Sequence, residues 1–78
     1  MRIEEAIAIG NKFVSDNIGV SGDPEMVRLV KREGHKSWML VYPSSLINAW
    51  LESAGTVVDG GEYVLSIDWH TKAVAVEG

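Results

Sequence analysis

An apolar stripe at the start of the chain constrains the fold more than any other feature. Ile3, Ile7, Gly10, Val14 and Ile18 recur at steps of three and four residues, and Ala6 and Phe13 widen the stripe. That period places them on one side of an α-helix, so a helix is predicted over residues 2–18. Glu4 and Glu5 suit the positive end of its dipole, and Gly19 suits its stop. Gly10 weakens a helix interior by about 1 kcal/mol relative to alanine. On the stripe, however, it lets the helix approach a neighbouring layer closely. The stripe can be shielded only by a sheet or a second helix, so the domain must have two layers.

The remaining sequence supplies strands. Ser21–Gly22–Asp23–Pro24 is a turn cluster. Residues 26–32 then read as a strand, 33–36 as a break containing Gly34, and 37–42 as a second strand, together a hairpin. The second strand, Trp38–Met39–Leu40–Val41–Tyr42, is apolar on both faces, whereas the first mixes apolar residues with Arg28, Lys31 and Arg32. The second therefore belongs nearer the sheet centre and the first nearer an edge, where charge discourages unwanted pairing. Pro43 ends the strand, Ser44 or Ser45 can cap a short helix near residues 45–54, and Gly55 stops it. Residues 56–58 can form a short extended piece, and Asp59–Gly60–Gly61 is a turn signal. A closing hairpin has strands near 62–69 and 72–77. The expected order is α–β–β–(α)–β–β with antiparallel pairing. The fold class is therefore α+β: a long N-terminal helix on a four-stranded antiparallel sheet, with a short inserted helix.

The 78 residues make one domain, 1–78. A chain this small buries only about 60% of the surface it exposes when unfolded. Cysteine is absent, which excludes disulfides and thiolate metal sites. No apolar run is long enough for a membrane span, and Glu4 and Glu5 stand where a secretory signal would be basic. A cytoplasmic location is the expectation. The net charge of −4 is uneven. Arg28, Lys31, Arg32 and Lys36 against Glu33 give that stretch +3, and the other three basic and ten acidic residues give −7. An acidic chain is not a typical nucleic-acid binder, but a local basic hairpin suits an acidic partner.

The chemistry-bearing residues are scattered. Asp59 with Glu62, or Asp68 with Glu77, could form an acid/base pair, but they fall in turns and at strand ends, where acids are normally solvated. His35 and His70 both fall at hairpin turns, with no third or fourth metal ligand in a recognisable spacing. No phosphate-binding glycine pattern and no nucleophile motif occurs. Catalytic residues, metal ligands and cofactors are therefore not assigned. Trp38 and Trp50, with Tyr63, could line a pocket between helix and sheet. The alternative for Trp38 is the core, because a small domain gains much burial from one large ring. Trp69, beside the last turn, suits a partly buried position at the sheet edge.

The stretch YVLSIDWHTKAVAV, residues 63–76, resembles the closing hairpin of cystatin-like families. Among these are PepSY-type domains and the small nuclear-transport-factor-like immunity proteins of bacterial toxin systems. Tyr63, Ile67, Asp68, Thr71 and Val74 match the shared pattern, and Gly60–Gly61 and Trp38 also fit. Lys72 stands where those families carry glycine. The resemblance implies a helix laid across a curved antiparallel sheet and a protein that binds and neutralises or regulates another protein. It attaches no catalytic role to Asp68–Thr71, which the residues themselves explain as a turn: Asp68 and Thr71 accept backbone N–H groups ahead of them.

Two functions are open at this point. The first is a non-catalytic interaction module contacting another protein through Arg28, Lys31, Arg32 and Lys36, with a homodimer through sheet edges as a further option. The alternative is a small-ligand-binding domain using Trp38, Trp50 and Tyr63. Neither nucleic acid nor a membrane is an expected partner.

Overall fold

The computed structural model describes residues 1–19, 21–43 and 63–77. The predicted helix at 45–54 with Trp50, the extended piece at 56–58 and the turn at 59–61 lie outside the described residues. Within them the order is α1 (Ile3–Asn17), β1 (Met26–Arg32), β2 (His35–Tyr42), β3 (Tyr63–Asp68) and β4 (Val74–Val76). The strands form one antiparallel sheet in the order β1-β2-β3-β4. The architecture is α+β: among the described residues, one helix is packed on a four-stranded antiparallel sheet.

The N-terminal stripe forms the predicted helix, fifteen residues of ordinary length. Glu4 and Glu5 occupy its first turn. Gly19 adopts φ 83°, and its N–H donates to the carbonyls of Val14 and Ser15 at 3.1 Å, closing the helix as glycine stops do. The contact line differs slightly from the predicted stripe. Ala6, Gly10, Val14 and Ile18 are buried, while Ile7 and Phe13 are half-buried and Ile3 is 40% exposed. Ala6 and Gly10 are the smallest residues on this line, and Gly10 permits the closest approach. A Cβ on Gly10 would lie 2.7 Å from both Leu40 Cδ1 and the Tyr42 hydroxyl.

Strand alternation sorts side chains onto two faces. Leu40, Tyr42, Leu65 and Ile67 are fully buried under α1 and join Ala6, Val14 and Ile18 in the core. Burying such side chains contributes about 1.5–3 kcal/mol each. The register Val27↔Leu40↔Leu65↔Val76 and Leu29↔Trp38↔Ile67↔Val74 continues this helix-side face across all four strands. The helix covers its middle, leaving Leu29 and Val76 exposed at the two edges. The opposite face, open in that α1 does not cover it, carries Arg28, Val30 and Arg32 from β1, His35, Ser37, Met39 and Val41 from β2, and Val64, Ser66 and Asp68 from β3; Val41 at its far end is buried all the same.

The first hairpin is tighter than its sequence indicates. β2 begins at His35, two residues before the predicted Ser37, because the turn consists of Glu33 and Gly34 alone. Both have positive φ, 49° and 82°, as a two-residue turn of the primed kind requires. Glutamate is unusual there, so the sequence suggested a longer break. Among the described strands β1 lies at an edge and β2 inside.

Candidate functional site

The basic cluster that is continuous in sequence divides in space. Arg28 and Arg32 occupy the open face, and Lys31 and Lys36 the helix-side face, by the alternation of a paired hairpin. Lys31 and Lys36 are direct cross-strand partners, an unfavourable juxtaposition of like charges. Lys36 lies on an aromatic ring instead of an acid: its Nζ is 5.4 Å from the Trp69 ring centroid. Among the described residues the ion pairs are Lys12–Asp16 and Lys72–Glu5, so neither involves the basic hairpin.

The aromatic residues form two separate groups. Trp38 stacks on Trp69 with ring centroids 6.0 Å apart, and its Nε1–H donates to the Met1 carbonyl at 3.2 Å. Trp38 is half-buried against the core, so it joins the sheet to the start of α1. Trp69 is half-buried beside the last turn. Tyr42 meets Tyr63 edge-on at 6.5 Å. The Leu40–Leu65 pair lies between the Trp38–Ile67 and Tyr42–Tyr63 rungs on the same face. Trp38 and Tyr63 therefore stand at opposite ends of the helix-side face, and Trp50 lies outside the described residues.

Tyr42 also anchors a polar chain. Its hydroxyl donates to Asn11 Oδ1 at 2.8 Å, and Asn11 Nδ2 donates to Asp23 Oδ1 at 2.8 Å. Burial, followed by the charges of Asp23 and an ionised Tyr63, pushes the Tyr42 phenol up to about 12. The side chain is inaccessible, so this hydroxyl joins elements and is not presented to a ligand.

Asp68 is a turn residue. Its Oδ1 accepts the N–H of Thr71 at 2.8 Å and of His70 at 2.9 Å, and Thr71 Oγ1 accepts the Ala73 N–H at 3.2 Å. The Thr71 and His70 donors hold the Asp68 carboxyl below its usual value. Lys72 adopts φ 63°, the left-handed region where glycine is favoured, and its ammonium pairs with Glu5 in the first turn of α1. That hydrogen bond lowers the Glu5 carboxyl. Sequence spacing gave no indication of this contact, because Glu5 and Lys72 lie near opposite ends of the chain.

Both hairpin turns lie at one end of the sheet, where the Trp69 N–H donates to the Lys36 carbonyl at 2.9 Å. His35 and His70 thus share that end, yet no group of three metal-capable side chains forms among the described residues. Asp59 and Glu62 lie outside the described residues.

A shallow hollow of about 180 Å³ lies on the open face. Arg32 and His35 line one side, Glu77 contributes an acid, Ser37 and Ser66 supply hydroxyls, and Val30 and Met39 are its apolar members. Of the residues expected to bind a partner or ligand, it includes Arg32 alone.

Among the described residues no helix is long and apolar enough to cross a membrane. No family model, no curated protein and no solved structure matches this chain.

Proposed function

We propose that this chain is a non-catalytic interaction module that receives an acidic, extended segment of another protein along the outer edge of β1. The observation that carries the reading is an edge strand with three basic residues that form no ion pair among the described residues. A segment added to a sheet edge obtains affinity from main-chain hydrogen bonds and specificity from its alternating side chains. Here the alternation gives it Arg28 and Arg32 on one face and Lys31 on the other. A segment with acids on both faces would match that pattern. Pairing β1 with β1 of a second copy would set two basic strands side by side, which like-charge repulsion opposes. The homodimer is therefore the less favoured use of this edge. The resemblance of residues 63–76 to closing hairpins of immunity proteins supports a partner that is neutralised or regulated.

The test is a titration of isotope-labelled protein with a heptapeptide of alternating glutamate and valine. Amide shifts should concentrate on Met26–Arg32, weaken in high salt, and disappear when Arg28, Lys31 and Arg32 are all changed to glutamate. Shifts that ignore the charge reversal in a folded variant would exclude the reading.

A further inference from the structure

The hollow on the open face has two charged poles. Arg32 ends β1 and Glu77 follows β4, so opposite charges from opposite edges line one depression. Among the described residues they pair neither with each other nor with any other ion. Ser37 and Ser66, from the two inner strands, add hydroxyls that can donate or accept. Val30 and Met39 add apolar surface.

We infer that this hollow binds a small zwitterion, a free α-amino acid with a short aliphatic side chain. The carboxylate takes the planar donor fork of Arg32, which suits two parallel hydrogen bonds. The ammonium faces Glu77. The side chain lies on Val30 and Met39, and the serine hydroxyls bond whichever polar edge is turned to them. Size agrees with this assignment. A volume of about 180 Å³ is about six times the share of one water in the liquid. It lies below the roughly 300 Å³ at which pockets for larger ligands begin. The two charges select against ligands that carry only one of them. This site uses the open face and not the outer edge of β1, so it stands or falls separately from the edge-strand reading.

The test is amide chemical-shift titration with L-valine, N-acetyl-L-valine and L-valinamide. Valine should give saturable shifts at Ser37, Met39 and Ser66. Each analogue, having lost one charge, should bind about tenfold or more weakly. Glu77→Gln, an exposed substitution, should weaken valine about as much and leave N-acetylvaline unchanged, with amide dispersion showing that the fold persists. N-acetylvaline binding as tightly as valine would overturn the assignment in favour of a simple anion site. Absence of saturable shifts at these amides with tens of millimolar valine would end it. The edge-strand reading is scored on different amides with a different probe, so either can fail alone.

Discussion

Gly10 and the Tyr42 hydroxyl compete for one volume: a Cβ added to the glycine would sit 2.7 Å from that oxygen. The helix rests on the sheet at this distance because residue 10 has no side chain. The phenol beneath it is fixed by its hydrogen bond to Asn11.

Gly10→Ala should therefore destabilise the domain by about 1–2 kcal/mol, although alanine is the better helix former by about 1 kcal/mol. Tyr42→Phe alone should cost about 1 kcal/mol through the lost hydrogen bond. In the Tyr42→Phe background Gly10→Ala should cost less, because one of its two close contacts is gone. Urea denaturation of the four species measures the coupling; strict additivity would show that the hydroxyl does not set the approach.

Alkaline pH should loosen the same contact. The folded Tyr42 phenol is raised from 10.0 to about 12, so the folded chain holds this proton more tightly than the unfolded chain does. The associated stability is complete below the unfolded value of about 10 and is lost as pH rises from there through about 12. The loss should approach 2–3 kcal/mol. Tyr63 is also raised by burial and adds in the same direction, so Tyr42→Phe should flatten the decline without abolishing it. Denaturant midpoints across that window test the claim.

Two side chains occupy backbone conformations that favour glycine, Glu33 with φ 49° and Lys72 with φ 63°. Relieving the steric conflict should outweigh the extra freedom glycine gives the unfolded chain. Glu33→Asn and Lys72→Gly should each raise stability by several tenths to about 1 kcal/mol. Lys72→Gly gains against the loss of its exposed pair with Glu5, which contributes little. Thermal melts of the single variants decide this; a clear loss in both would mean the turns are shaped by their side chains.

Asp68→Ala should destabilise the last turn and leave the two backbone donors from His70 and Thr71 to water. The Asp68 carboxyl is lowered in the folded chain. Its contribution is therefore present above the unfolded value and is lost as pH falls through the lowered folded one. The gap in thermal midpoint between wild type and Asp68→Ala should be widest at neutral pH and close in acid. A gap independent of pH would assign the effect to chain geometry alone.

Helix, edge strand and turn were legible because each is a local pattern. A period near four gave α1, β1's charges gave an edge, and Asp68 with Thr71 gave a chain reversal. The value of Gly10 was also visible, since an apolar stripe interrupted by glycine implies close approach. The division of the basic hairpin was implicit in strand alternation, but the exact turn length hid it: Glu33 gives no sign that it will take a positive φ. The hollow was not legible. It needs residues from β1, β2, β3 and the chain after β4 in one register, and cross-sheet register depends on every turn at once. The Lys72–Glu5 contact was hidden for the same reason.

The chain of contacts from Tyr42 through Asn11 to Asp23 ties an inner strand, the helix and the segment ahead of β1 with two consecutive hydrogen bonds. Lifting α1 away would break that tie and expose Leu40 and Ile67 together. Partial opening therefore gains little freedom for the contacts it sacrifices. The described core should exchange its amide protons in a single cooperative event, with Val14 and Leu40 reporting the same opening free energy.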